Sequence, residues 1–356
     1  MTEIGTGKHF WPAIYWLFFF AISLGLGYPA LNRFDPRTVP GCVDSNEYFN
    51  MVSGDRVGSW DEQLRLRPLV PWLAKPFFQI SQGRIRSWNP VAFGLLISSA
   101  LFTATGALLF LQFGRKYAAS HSTAFAGTLL YLLNFTVHNK HLGCGLVDSG
   151  ESSLLLTLYW LLFEGKFFLL PIVGLLGALS KETFIPMAAI AVLGWAIVEF
   201  RNGRWKRNQT LWSFGMIVVG LSTTVLLQFG VYDRLIWPWE FAAQLRNDPW
   251  ARDVSLLQGL IGCLTDRQFW YIFGWLLPLG VLRLQRLPGA WMGASLGGAA
   301  AALAMGAWNN GEGATAPAVF NSIGPILSLS AAQLLGSGLT PAPGPATAER
   351  TLPDRS

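Results

Sequence analysis

Charge is what this sequence has least of. Of its 356 residues only 13% are Asp, Glu, Lys or Arg, against roughly a quarter in soluble domains. That shortage argues against an ordinary water-soluble domain. Cysteine is scarce too. Cys42, Cys144 and Cys263 form no CxxC pair and no zinc spacing, which excludes a zinc ribbon or a dithiol redox motif. The three read best as free thiols, although the topology below puts them all on the outer side, where a disulfide is permitted. No internal repeat is evident, which counts weakly against an inverted-repeat transporter. A cleavable leader is also not expected. Lys8 precedes an apolar run over 10–30, too long for a signal h-region and without a small-x-small site after it, so it reads as a retained first helix.

What the sequence has instead is apolar bulk. It is 52% hydrophobic, with 25 Phe and 16 Trp, gathered in long blocks. A membrane span needs about 20 apolar residues. The blocks at 10–30, 90–113, 122–137, 152–163, 211–231, 269–282, 288–308 and 318–335 are candidates. The stretch 167–200, broken at Lys181-Glu182, is too long for one span and reads as two. The expectation is an all-α, polytopic transmembrane helical bundle of about ten spans. It forms a single transmembrane domain over 1–336, followed by a disordered cytoplasmic tail over 337–356.

The net charge of +6 does not point to nucleic acid, because the basic residues sit in short connections between apolar blocks. Arg115, Lys116, Lys166, Arg201, Arg204, Lys206, Arg207, Arg283 and Arg286 would all face one side. By the positive-inside rule that side is cytoplasmic, as is the N-terminus. Lys140 and Lys181 would lie in short outer connections. Two outer segments are long, 31–89 and 232–268. Their aromatic and proline-rich runs suit the headgroup layer, and the first is expected to be partly helical.

Charges near membrane depth are costly and mark candidate function. Asp44 and Glu47 are three apart, on one helix face ahead of Tyr48. Either carboxylate suits a general base, and the same spacing suits a helix cap. Arg65, Arg67 and Lys75 stand among prolines that fix the chain path. They suit a phosphate or ordinary contact with headgroups. His138 and His141, running on to Asp148 and Glu151, could form a metal pair, but polar residues are expected in an outer connection anyway. Lys181-Glu182 falls after a helix of about 14 residues, roughly 21 Å long, so it is expected to be recessed in a cavity. The alternative is a self-paired hairpin apex. Asp233, Arg234 and Glu240, with Trp237, suit a sugar, a headgroup or simple interfacial anchoring.

The order of these pieces resembles the GT-C superfamily, polytopic membrane glycosyltransferases that use polyprenyl-phosphate-linked sugars. The pieces are a first helix, an outer segment with Asp44 and Tyr48, then Arg67-Pro68-Leu69-Val70-Pro71. Asp148 follows at a helix start, then Ser180-Lys181-Glu182, and finally Phe320-Asn321-Ser322-Ile323-Gly324-Pro325. The resemblance covers roughly residues 10–335 and rests on order, since each motif is short. It implies sugar transfer with inversion to an acceptor hydroxyl on the outer face of the membrane; the small size and lack of large soluble domains point to a bacterial inner membrane. Asp44 would act as base, with Glu47 second. Arg67 and Lys181 would hold the donor phosphate, and Tyr48, His141, Asp148 and Glu182 would line the substrate cavity. The partners would be the lipid-linked sugar and the bilayer, with no nucleic acid. No resident metal is assigned, and the cofactor is left open because family members differ in metal use. The chain departs from the family where an arginine is expected before Phe320, reading Thr315-Ala316-Pro317-Ala318. The competing reading is a transporter or lipid flippase, which would have broken helices near the midplane and charges along a path across the whole bilayer.

Overall fold

A computed structural model describes residues 10–33, 43–54, 62–85, 87–118, 120–143, 146–237, 240, 255–309 and 314–339. All regular structure among them is helical. Among the described residues six helices are long and apolar enough to cross a membrane. They are α1 (Phe10–Arg33), α4 (Pro90–Tyr117), α8 (Phe184–Arg201), α9 (Arg207–Tyr232), α13 (Gly289–Asn309) and α14 (Thr315–Leu339). The chain therefore has the build of a membrane protein. Between α1 and α4 lie α2 (Val43–Ser53), a 3₁₀ turn (Glu62–Leu66) and α3 (Leu69–Ser81). Between α4 and α8 lie α5 (His121–Leu132), a π-helical turn (Val137–Leu142), α6 (Asp148–Glu164) and α7 (Leu170–Ser180). Three short helices precede α13: α10 (Leu256–Thr265), α11 (Arg267–Phe273) and α12 (Leu276–Val281).

Local chemistry sets the ends. Asn89 caps α4, its Oδ1 accepting from Val91 N at 2.9 Å, with Pro90 in the first turn where no N–H is needed. Gly165 ends α6 in the left-handed region at φ 67°.

Three expectations need correction. The block 122–137 is not one helix. After Leu132 the Asn134 side chain bonds Thr136 N at 3.0 Å, offering the backbone an alternative to the helical ladder. The block 269–282 is also broken, into α11 and α12. Pro278 has no N–H to offer the carbonyl of Gly274, so the helix cannot run through. At the C-terminus the expected boundary at 336 falls inside α14, which continues to Leu339.

Close approach of helices relies on small residues, as expected where lipid removes the hydrophobic drive between helices. In the α8–α13 seam a Cβ on Gly194 would stand 2.2 Å from the Gly293 carbonyl oxygen. On Gly174 of α7 it would stand 2.4 Å from Met216 O of α9. α6 is the buried centre, and Phe110, Phe113, Phe163, Trp195 and Trp291 pack edge to face or stacked beside it. Lys116 and Glu164 pair at 2.5 Å at the end of the bundle where α4 and α6 finish.

Candidate functional site

The opposite end of the bundle gathers the C-terminal ends of α7 and α13 with the N-terminal ends of α6, α8 and α14, under a cap made by α2, the 3₁₀ turn and α3. Tyr48, Val52, Leu64, Val70 and Ala74 form a small apolar core inside that cap, closed by Val91, Leu95 and Val147. It holds Arg67 between the 3₁₀ turn and Pro68, with Arg67 N bonded to Leu64 O at 3.2 Å. Gly150 lets α3, α6 and α7 meet beneath. A Cβ there would stand 2.8 Å from Ser180 Oγ and 3.1 Å from Val70 Cγ2.

Between these ends lies a cavity of about 250 Å³ whose polar wall includes Tyr48, Arg67, Lys140, Asp148, Lys181 and Glu182. Two ion pairs organise it. The Arg67 guanidinium grips Glu182 with both arms, Nε to Oε2 at 2.8 Å and Nη2 to Oε1 at 2.5 Å, and its Nη1 donates to Tyr48 Oη at 3.0 Å. The Lys181 ammonium donates to Asp148 Oδ1 and stands 3.7 Å from Glu151 Oε2. Adjacent Lys181 and Glu182 therefore serve different partners, and the self-paired apex does not form. The cause is the backbone: Lys181 is extended at φ −164° and ψ 142° as it leaves α7, so successive side chains point apart.

Behind the cavity a buried chain of hydrogen bonds fixes the acids. Thr183 Oγ1 donates to Glu151 Oε1 at 2.5 Å, and Asn321 Nδ2 donates to Glu151 Oε2 at 3.3 Å. Since Asn321 turns its amino group to Glu151, its oxygen faces His141, whose Nε2 donates at 3.1 Å. Burial drives the His141 pKa down to about 4, against the opposing pull of Asp148 and the Asn321 bond, so the ring is neutral at pH 7. Burial also works to raise Asp148, but Lys181 outweighs it and holds the carboxyl below its ordinary value. Glu182 follows the same pattern, with Arg67 prevailing over burial. Lys181 is held above its ordinary value, as Asp148 and Glu151 overcome its burial. Both pairs are fully ionised at neutral pH.

The structure thus brings Tyr48, Arg67, Asp148, Lys181 and Glu182 onto one cavity wall and puts His141 behind it. Glu47 goes elsewhere: it is buried and accepts from Arg65 Nε at 2.7 Å, neither capping α2 nor reaching the cavity. Asp44 falls in the first turn of α2, one helical turn before Tyr48; its side chain lies outside the described residues. His138 is exposed while His141 is buried, so the two do not act as a pair. Among the described residues no group of three or more His, Cys, Asp or Glu is placed to hold a metal. Cys263 is buried, its Sγ 3.3 Å from Thr315 Oγ1. Cys42 and Cys144 lie outside the described residues.

A second hollow of about 660 Å³ opens beside the first, between α8, α9 and α13. Its wall is mostly apolar, with Ile185, Ala189, Ile217, Leu221, Met305 and Trp308. Gln63, Glu182, Thr183, Met305 and Asn309 border both hollows, so the charged cavity and the apolar cleft lie side by side. Sequence reasoning missed the contributions of α13, since Ala302, Met305 and Gly306 carry no chemical signature. The start of α14 does reach the cavity through Thr315, Pro317 and Ala318, but supplies no cation there. Comparison with known protein families, curated proteins and solved structures gives no match to this chain.

Proposed function

We propose that this chain is an integral membrane glycosyltransferase that moves a sugar from a polyprenyl-phosphate donor to an acceptor hydroxyl, with inversion. The observation that carries the reading is that an ion-paired polar cavity and an apolar cleft lie side by side at one end of the bundle, sharing five wall residues. A lipid-linked sugar is polar at one end and apolar along the rest. Its sugar and phosphate fit the cavity, and its chain fits the cleft and the bilayer beyond. The GT-C-like order of motifs supports the same assignment. So does the charge distribution, because in the six long apolar helices charged residues occur only in the first or last turn. A transporter or flippase is expected to carry charges along a path across the bilayer.

In this reading Asp44 takes the proton of the acceptor hydroxyl. The acceptor oxygen forms a bond to the anomeric carbon from the face opposite the phosphate. The bond from that carbon to the phosphate oxygen breaks, and its electron pair leaves with the lipid phosphate. The oxocarbenium-like state between them gains from nearby fixed carboxylates, and the departing phosphate gains from cations. The bundle is read with about ten membrane passes, the shorter helices included. Its basic end and C-terminal tail face the cytoplasm, and the cavity faces out across a bacterial inner membrane. The test supplies membranes, with and without the protein, with a panel of labelled polyprenyl-phosphate sugars. Label should leave the lipid only where the protein is present. Label that crosses the bilayer on an unchanged lipid would instead establish the transporter.

A further inference from the structure

The two cations first expected at the donor phosphate are each already neutralised. Arg67 spends its fork on Glu182, and Lys181 is bound by Asp148 with Glu151 close behind. A phosphate arriving at either meets a cation whose charge a buried carboxylate already balances, and drawing the cation away would leave that carboxylate unpaired. Lys140 is different. It lies on the cavity wall, and among the described residues its ammonium has no hydrogen bond and no ion pair. It is partly buried, so its charge is less screened than on an open surface.

The local fold explains how it comes there. Lys140 belongs to the π-helical turn Val137–Leu142, a form of turn that recurs at functional sites. The next residue, His141, is held into the core by Asn321, which fixes the rotation of the turn and leaves Lys140 on the cavity side. With the pairs Arg67–Glu182 and Lys181–Asp148 cancelled, the described residues of the cavity wall keep one net positive charge, that of Lys140.

The geometry points to Lys140 as the group that holds a phosphate-ester anion in this cavity. The assignment rests on the proposed transfer reaction for its lipid: the donor carries a phosphodiester anion, and the lipid phosphate left when the sugar moves is a monoester, which farnesyl phosphate stands for below. Arg67 and Lys181 become positioning residues: they fix Glu182 and Asp148 and set the shape of the wall. Lys140 touches the phosphate and holds it while the sugar leaves.

The experiment is calorimetric titration of the full chain in detergent with farnesyl phosphate, with farnesol and with inorganic phosphate. Wild type is expected to bind farnesyl phosphate about 10- to 100-fold more tightly than farnesol, the range for one charge-assisted contact. Lys140→Ala should erase that preference while farnesol binding persists, and Lys140→Arg should keep most of it. Because Lys140 has no partner to strand among the described residues, Lys140→Ala should leave the thermal midpoint unchanged. Lys140→Gln, closer in length, is read alongside it. If both neutral variants keep the preference for the phosphate, the assignment is overturned and the anion must be exchanging into one of the two pairs. If wild type binds farnesol and farnesyl phosphate equally, the Lys140 assignment fails while the lipid reading survives. If inorganic phosphate binds as tightly as farnesyl phosphate, farnesol does not bind, and Lys140→Ala abolishes the binding, then Lys140 stands and the lipid reading fails.

Discussion

Acid should loosen this protein through a single histidine. His141 has an ordinary pKa of 6.5 when unfolded and is brought to about 4 in the fold by burial. As pH falls, the unfolded chain takes up this proton first. The stabilisation is therefore fully present above about pH 6.5, declines from there to about pH 4, and is gone below. A gap of 2.5 units at 1.36 kcal/mol per unit is worth about 3 kcal/mol in all, of which about 2 kcal/mol falls between about pH 7 and pH 4.5. The structure supplies the reason: among the described residues the one hydrogen bond on the His141 ring runs to Asn321 Oδ1, whose amide is already oriented by Glu151. His141→Gln keeps a donor for that oxygen and removes the titration. Unfolding free energies measured by denaturing-detergent titration in mixed micelles, across this pH range, provide the assay. Other titrating groups are common to both proteins and cancel in the difference. Wild type should lose about 2 kcal/mol more than His141→Gln on acidification. Parallel curves for the two proteins would refute the argument, because they would mean that His141 titrates in the fold as it does in the unfolded chain.

The pair Arg67–Glu182 should behave as a unit. Glu182→Gln strands a buried guanidinium and should cost about 3 kcal/mol of stability, whereas the double variant Arg67→Met with Glu182→Met should recover most of that stability and still show no sugar transfer; a double-mutant cycle of unfolding free energies reads both. In the α8–α13 seam a Cβ on Gly293 would stand 2.8 Å from Gly194 O, so Gly293→Leu should lower stability by about 3 kcal/mol or more, seen as a drop in the midpoint of thermal unfolding in detergent. Glu47→Gln should lose less than about 1 kcal/mol, since its partner Arg65 is 41% exposed, and should retain transfer activity, while Asp44→Asn should lose activity without losing folded protein on size-exclusion chromatography.

Helix starts marked by local chemistry were legible in the sequence. Asn89-Pro90 announces α4, and the break at Lys181-Glu182 falls between α7 and α8 as the apolar run lengths require. Breaks caused by one side chain acting on its own backbone were not legible. Asn134 ends a run that hydropathy alone carries to Val137, and Pro278 divides a block that is apolar throughout. The same division holds in the site. That Arg67, Asp148, Lys181 and Glu182 are chemistry-bearing residues follows from the cost of charge near a membrane. Which carboxylate meets which cation does not, because those partners come from segments 33 and 115 residues apart and their pairing is decided by how the helix ends dock. Glu47 shows the limit most plainly: its spacing from Asp44 suits a cap or a second base, yet its side chain is taken up by Arg65 in the next turn of the cap.

The most direct test of the whole account is the fate of a labelled sugar on polyprenyl phosphate when purified wild-type protein, reconstituted in vesicles, is compared with Asp44→Asn at equal folded amounts. The account expects wild type to release the sugar from the lipid onto an acceptor with inverted anomeric configuration, and Asp44→Asn to release at least about 100-fold less, as loss of a general base entails. Equal release by the two proteins would contradict the base assignment, and no release by wild type from any donor in a broad panel would contradict the account itself.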